Sequence, residues 1–372
     1  MGVSTPRHPQ FLVVRHSRWK RHFFDVILNW IGQHFPEHRQ LFDVWDLPDE
    51  TARDYPYLPH LAAWRSLLVL AKSIVHRERD PQRILRGGVP NGRDYRLHLP
   101  WLQDPVQEWS PATFARACSL TSQCDALGIP TINRVDRLVH AVKSTAASLI
   151  AKAGVGTPRM EVVRDVREFH ETQMGMSLPL FVREDWGHRG GMWRADTVEE
   201  LRRLPVSRLK RPVAVEIVDV RDPRDGLFRK YRYIAAGEVG VSHHLQTSSG
   251  WVTRGENRVK SETTRAEELQ YIQHLDPRHD ELQRARRALG LVIVAFDYGL
   301  TPDGRLIIWE ANPFPHIKFS QRGLVYRNDA LHRTMLAIFR LYLTVAGLAV
   351  PQQIEDGLVY PHKPDEAVQR AA

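Results

Sequence analysis

The chain has 372 residues, 42% hydrophobic and 26% charged, which excludes a mostly disordered chain, a fibrous protein and a multi-span membrane protein. Its 52 Lys and Arg against 43 Asp and Glu leave a net charge of +9, which favours an anionic partner: a nucleotide phosphate, an anionic metabolite or a nucleic acid. At this length two or three domains are expected, and the core needs no disulfide or metal to hold it.

In chain order, the first strand expected is Phe11-Leu-Val-Val-Arg15, a short apolar run. Helical periodicity follows from Trp19 to Phe35, then a second strand over Leu41-Phe-Asp-Val-Trp45. Strand, helix, strand predicts a βαβ unit with a parallel sheet. A helix is expected from Leu61 to Val75, and residues 80–110, rich in Arg, Pro and Gly, read as a loop or irregular insertion. Ser110 caps a helix that starts at Pro111, runs to about Leu127 and stops at Gly128.

This helix carries both cysteines, Cys118 and Cys124. Six residues apart on a helix they do not share a face, so two thiols in a reducing compartment are expected. The first ten residues have no apolar run, and Pro6 stands where a myristoylation signal needs Ser or Thr. The expected location is the cytoplasm.

Further along, Pro130-Thr-Ile-Asn133 reads as a short strand and Asp136 to Lys152 as a helix closed by Gly154. Strands are then expected at Met160–Val163, Pro179–Arg183, Val213–Val218, Lys230–Ala235 and Val239–His243, with a helix over Thr197–Leu204. Ala266–Leu289 reads as one strong helix. Leu291–Phe296 and Arg305–Asn312 form a hairpin across the turn Thr301-Pro-Asp-Gly304. The last helix spans Asp329–Leu348; Met335–Val350, interrupted by Arg340, is too short to cross a membrane, and the tail from Pro351 is expected to be loose. The pattern is an α/β first part and an α+β second part with a largely antiparallel sheet.

The chemistry concentrates in Ala295–His316. Asp297 ends one apolar strand; Glu310 and Asn312 lie two apart at the end of its partner and so share a face. The turn returns Asp297 beside them. Two carboxylates and an amide oxygen are hard ligands suited to Mg2+ shared with substrate phosphates. Glu310 follows the apolar run Leu306-Ile-Ile-Trp309, where an unpaired carboxylate would be costly.

Asp297, a glycine-containing turn, and Glu310-Ala-Asn-Pro313 thirteen residues on resemble the metal-binding hairpin of the ATP-grasp superfamily. Within it the chain is similar to carboxylate-amine ligases of the ribosomal-protein glutamate ligase type. The resemblance covers residues 128–320 and implies Asp297, Glu310 and Asn312 as Mg2+ ligands, with Glu310 bridging two ions. Lys143 then matches a lysine that contacts nucleotide phosphates. Leu178–Arg183 with Gly187-His-Arg-Gly-Gly-Met192 resembles the strand and phosphate-covering loop, and implies ATP contacts for Arg183, Gly190 and Gly191. Arg183 stands where relatives carry lysine. Ala214–Asp219 resembles the adenine-holding linker, with Glu216 and Asp219 both candidates for the ribose. Arg232 is the better match to a phosphate-binding arginine, and Lys230 the second. His243, His244 and His316 lie near this set and are left outside it.

The architecture so implied is an N-terminal Rossmann-like domain over 1–127, a two-lobed ATP-grasp module over 128–325, and a C-terminal helix and tail over 326–372. The activity implied is a Mg2+- and ATP-dependent ligase joining a carboxylate to an amine, from small-molecule or peptide substrates, through an acyl phosphate. Glu310 and Arg232 would be its catalytic residues. The alternatives are an ATP-grasp phosphotransferase, a nucleotide-binding protein without turnover, and a nucleic-acid-binding protein. For the last, the basic cluster Arg15, His16, Arg18, Lys20 and Arg21 includes only Trp19 for stacking, and it reads better as a solvated face. No P-loop, nucleophile elbow, HExxH or zinc-finger spacing occurs in the sequence.

Overall fold

The computed structural model describes residues 9–16, 21–47, 85, 87–102, 106–186, 191–253, 257–320 and 322–360. They form two compact units: residues 1–136, 316–318 and 339–350, and residues 137–315, 319–338 and 351–372. The expected helix at 61–75 and the basic residues Arg18 and Lys20 lie outside the described residues.

The first unit is built on a parallel sheet. Strands β1 (Phe11–His16), β2 (Phe42–Leu47) and β3 (Leu97–Trp101) lie in the order β2-β1-β3. Helix α1 (Arg21–His34) makes the crossover between β1 and β2, so the βαβ expectation holds. β3 falls inside the segment expected to be a loop. Its sequence, Leu-His-Leu-Pro-Trp, hides a strand because Pro100 lacks a donor N–H. The expected strand at Pro130–Asn133 is reduced to one parallel bridge, Thr131 to His98.

Helices α2 (Val106–Trp109) and α3 (Pro111–Ala126) follow, and the Ser110 side chain caps α3 by accepting from Thr113 N–H. On α3 Cys124 is buried and Cys118 half-buried, both as thiols. Arg15 is no part of a solvated face: it is buried, with Nε donating to Asp46 and Nη1 to Asp25. An aromatic core of Phe11, Phe24, Phe35, Phe42, Trp101, Phe339 and Tyr342 fills the unit.

The second unit holds two four-stranded antiparallel sheets. One has the order β4-β7-β5-β6, from β4 (Met160–Val162), β5 (Leu180–Glu184), β6 (Met192–Ala195) and β7 (Pro212–Glu216). The other has the order β11-β10-β8-β9, from β8 (Phe228–Ala236), β9 (Val239–Ser248), β10 (Ile293–Leu300) and β11 (Leu306–Asn312). The hairpin expectation is met by β10 and β11.

Helices α4 (Lys143–Lys152), α5 (Val166–Thr172) and α6 (Val198–Arg203) accompany the first sheet; α6 begins in a capping box of Thr197 and Glu200. The N-terminal part of the helix expected from Asp136 is a 3-10 turn, Val135–Ala141, before α4 starts. The helix expected over Ala266–Leu289 is two, α7 (Glu262–Gln273) and α8 (His279–Leu289). Pro277 lacks the N–H to continue a helix and turns the preceding Asp276 away from helical backbone angles. Asp276 is buried between them, and this break supplies a part of the site. Helix α9 (Asn328–Val345) and a further helix α10 (Gln352–Leu358) complete the described chain, so the stretch just after Pro351 is ordered rather than loose. Among the described residues no helix is long and apolar enough to cross a membrane.

The two sheets are tied through the segment that follows α4. Gly156 C=O accepts from Ile308 N–H at 2.9 Å, and Thr157 Oγ1 donates to Ile308 C=O at 3.0 Å. A Cβ on Gly156 would stand 2.0 Å from the Leu306 carbonyl oxygen, so only glycine lets the backbone come this close to β11.

Candidate active site

Glu310, Asp297, Arg232 and His244 are successive register partners across β11, β10, β8 and β9. Residues directly opposite on neighbouring strands share a face, so the four form one row across the sheet. Two irregularities flank the row. The register shifts between Asp297 and Tyr298 leave Trp309 unmatched on β11, and that between Arg232 and Tyr233 leaves His243 unmatched on β9. Both lie within the paired stretches, where such bulges re-aim side chains. Gly299 makes room for the first of them: a Cβ there would meet the Trp309 ring at 2.4 Å.

The centre of the row is an ion pair. Arg232 Nε donates to Asp297 Oδ1 at 2.6 Å and its Nη2 to Oδ2 at 2.9 Å; Lys230 Nζ adds a contact to Oδ2 at 3.3 Å. Burial alone would push the Asp297 carboxyl up, but Arg232 and Lys230 outweigh it and hold the group below the usual carboxylate range. Asn312 is buried one step along β11, where its Oδ1 accepts from Phe314 N–H at 3.0 Å.

His243 and His244 meet through their Nδ1 atoms at 2.9 Å, and both are buried. Burial, with Arg232 and Arg327 adding to it, pushes His243 down to about 3 and His244 in the same direction. Burial thus disfavours the charged form of both rings.

A layer of tyrosines backs the sheet. Tyr271 and Tyr298 both donate to Asp276 Oδ2, at 2.8 and 2.7 Å, and Arg278 N–H donates to Oδ1. The Tyr271 hydroxyl, which has one proton, also lies 3.2 Å from the Arg232 carbonyl oxygen and shares that proton with it, and Tyr231 stacks on Tyr298 at 5.0 Å. The break between α7 and α8 thus holds the backbone of the strands that carry Arg232 and Asp297. Sequence periodicity alone does not reveal this, because it reads the two helices as one.

The remaining predicted residues belong to the other sheet. Lys143 is buried at the first turn of α4, where its N–H donates to the Asp185 carbonyl oxygen. Asp185 is fully buried at the end of β5: it accepts from Ser144 N–H and Oγ at 2.8 and 2.7 Å and pairs with Arg211 Nε at 2.9 Å. This places Lys143 at the end of the strand that bears Arg183, which is half-buried.

Glu184, also buried, accepts from the Lys210 and Arg211 N–H groups. Sequence reasoning passed over Glu184 and Asp185; two adjacent carboxylates directly after an apolar strand are the signal that could have found them. Glu216, at the end of β7, accepts from Arg159 N–H at 3.0 Å, and Asp219 pairs with Arg221 at 2.6 Å; both are exposed. Gly191 is exposed before β6, and Gly190 lies outside the described residues. His316 belongs to the first unit.

No protein-family model matches the chain, and no curated protein matches it by sequence. Solved structures do match. The ATP-grasp ligase PsnB, complexed with minimal precursor, Mg and ADP, is 13% identical with a TM-score of 0.53, over 91% of this chain and 99% of that one. Its complex with minimal precursor gives 12% identity and a TM-score of 0.52, over 90% and 99%.

The chain has the ATP-grasp fold.

The D-Ala:D-Ser ligase VanG from Enterococcus faecalis is also similar, at 12% identity and a TM-score of 0.48, over 90% of this chain and all of that one. In this chain the row Glu310–Asp297–Arg232–His244 lies on one sheet of the second unit, and Lys143, Arg183 and Glu216 lie on or beside the other. A cavity of about 980 Å3 between α4 and the segment through β4, with Lys152, Arg159, Glu161 and Glu216 among its walls, contains none of the row.

Among the described residues no three His, Cys, Asp or Glu side chains form a metal cluster. The oxygen donors at the row are two carboxylates on register-paired residues, Asp297 and Glu310, and the amide of Asn312 two positions from Glu310. A carboxylate has about four lone-pair sites, and Arg232 and Lys230 leave part of those on Asp297 uncommitted. This hard-oxygen donor set fits a cation such as Mg2+ that completes its shell with water and phosphate.

Proposed function

We propose that this protein is an ATP-dependent ligase that joins a carboxylate to an amine through an acyl phosphate. The observation that carries the reading is the row Glu310–Asp297–Arg232, two carboxylates and a guanidinium on one face of an ATP-grasp sheet. Residues 128–325 are assigned to the nucleotide-binding module, with 1–127 preceding it and 326–372 following.

In this reading Asp297, Glu310 and Asn312 hold Mg2+, which supplies neutralisation of the phosphate charge when bound. Arg232 uses two of its five N–H donors on Asp297, leaving the others for phosphate oxygens. Its orientation is set in advance by Asp297 and by the Tyr271–Asp276 layer, so little reorganisation is needed during phosphoryl transfer. Lys230, Lys143 and Arg183 hold the nucleotide phosphates. Backbone N–H groups of Gly190 and Gly191 cover them, and Glu216 or Asp219 takes the ribose.

The substrate carboxylate oxygen attacks the ATP γ-phosphorus, and ADP leaves. The amine nitrogen then attacks the acyl carbon, the bond from that carbon to the phosphate oxygen breaks, phosphate leaves with the electron pair, and the nitrogen loses a proton. The nitrogen gives its proton to solvent water.

The test is calorimetric titration of ATP with and without Mg2+ on the wild type and on Glu310→Gln, followed by screening of carboxylate and amine pairs for ADP release. Mg2+-dependent binding that the variant loses supports the reading. Absence of binding by the wild type, or a fully active Glu310→Gln, sinks it.

A further inference from the structure

Helix α4, which opens with Lys143, has Val142 at its N-cap position, and the Val142 side chain makes no capping hydrogen bond. The cap comes from Asp185, 41 residues beyond Ser144: its Oδ1 accepts from Ser144 N–H at 2.8 Å and its Oδ2 from Ser144 Oγ at 2.7 Å, while its carbonyl oxygen accepts from Lys143 N–H at 3.3 Å. Stability alone asks only for a local Ser, Thr, Asp or Asn at the N-cap. Capping from another element with a fully buried carboxylate costs desolvation and calls for a cation.

That cation is Arg211, and two consecutive residues hold it at three points. Its N–H donates to Glu184 Oε1 at 3.2 Å, its carbonyl oxygen accepts from Asp185 N–H at 2.9 Å, and its Nε lies 2.9 Å from Asp185 Oδ2. The guanidinium also lies over the Trp186 ring, 6.0 Å from its centre. The Arg211 side chain is nevertheless 35% exposed, against 0% for Asp185. A buried carboxylate thus anchors an arginine that is still open to solvent. A guanidinium fixed in this way is a rigid planar fork, the geometry that suits phosphate.

Arg211 stands at one end of the paired strands β5 and β7. Glu216, a candidate for the ribose, pairs in register with Leu180 at the other end, and Arg183 lies between them. Leu180 and Val182 belong to the apolar core of this sheet, so Arg183 faces the opposite side. From Leu180 to Asp185 the chain advances about 17 Å. A nucleotide laid along β5 from Glu216 past Arg183 brings its β- and γ-phosphates to the end that carries Asp185, Lys143 and Arg211. Gly191 leads into β6 at this same end, where Met192 pairs with Arg183.

We propose that Arg211 is a further residue that binds the β- and γ-phosphates of the nucleotide, and that Asp185 is the positioning residue that fixes Arg211 and the Lys143 end of α4 to the strand bearing Arg183. This deepens the ligase reading and rests on it. Charge alone gives Asp185 the opposite effect: taking a carboxylate away from a phosphate site tightens an anion. Taking away one that holds the binding arginine in place loosens it.

The experiment is calorimetric titration of Mg-ATP, with AMP measured by competition against it, on the wild type, Arg211→Gln, Asp185→Asn and the double variant. Asn keeps an oxygen for Ser144 N–H, so the cap survives, but it removes the charged acceptor at Arg211 Nε. Arg211→Gln is expected to weaken Mg-ATP about tenfold and to leave AMP within about twofold of wild type, because AMP lacks the β- and γ-phosphates. Asp185→Asn should weaken Mg-ATP about threefold to tenfold, and add less than about twofold once Arg211 is Gln. Wild-type Mg-ATP affinity in Arg211→Gln, equal losses of ATP and AMP, unchanged or tighter Mg-ATP binding by Asp185→Asn, or fully additive losses in the double variant overturns the inference and leaves the ligase reading standing. A wild type that binds no Mg-ATP overturns both.

Discussion

Arg232 and Asp297 face each other across adjacent antiparallel strands and are joined by two hydrogen bonds of 2.6 and 2.9 Å. The pair is the structural centre of the row and also its electrostatic balance. Removing one partner strands the other charge in a largely buried place, while removing both does not.

Asp297→Asn is therefore expected to lower the unfolding free energy by about 3 kcal/mol. The double variant Arg232→Met, Asp297→Leu should recover most of that loss while remaining unable to bind Mg-ATP. Urea denaturation checks the first statement and calorimetry the second. Equal stability of single and double variants would show that the pair is not the controlling contact.

Acid should destabilise the protein earlier than ordinary carboxylates would. His98 and His243 are both held near 3, chiefly by burial, against an ordinary 6.5. Each stays neutral in the folded state while the unfolded chain takes up a proton below about pH 6.5. The unfolded state then binds more protons, and stability falls with pH by about 1.4 kcal/mol per unit for each histidine until the pH nears 3. Asp297, lowered in the folded state, keeps its contribution above about pH 4 and loses it only below that. Stability curves from pH 7 to 4 on the wild type and His243→Gln should differ in slope by about one proton.

Gly156→Ala should cost at least about 2 kcal/mol, because its Cβ meets a strand carbonyl at 2.0 Å and that strand is held by the Ile308–Gly156 hydrogen bond. A melting temperature equal to wild type would show that β11 can shift to accommodate the methyl group.

Tyr298→Phe removes one of the two hydroxyls that Asp276 Oδ2 accepts from, within a fully buried cluster. The expected loss is about 1–2 kcal/mol. Because Tyr298 counteracts part of the upward push of burial on Asp276, the variant should raise that carboxyl further, which titration by NMR would read.

Much of the site was legible because it is local. Asp297, Glu310 and Asn312 lie on one hairpin, and strand alternation with a turn of known length places them on one face. Lys230 and Arg232 were singled out by the family resemblance, and their i, i+2 spacing added only that they share a face of the strand. The row itself was not, since it depends on β8 lying between β10 and β9 and on two bulges, and no local pattern encodes either. His244 joins the row only through that pairing. Glu268 reads in sequence as one more polar residue of a helix, yet it is buried with four partners from three other segments.

The sequence by itself determined the parallel and antiparallel halves, the capped helices, the hairpin that carries Asp297, Glu310 and Asn312, and the excess of positive charge, all of which follow from side-chain periodicity, capping and composition over a few residues. Only the tertiary structure decided that the helix through 266–289 breaks at Pro277 to place Asp276 behind the site, that Leu97–Trp101 is a strand, that Arg15 is buried in an ion pair, and that two arginines converge on Glu268. Each of these depends on partners dozens of residues apart in the chain. Burial and charge pairing between such partners outweigh local propensity, because an unpaired charge or donor in the interior costs more than a strained turn.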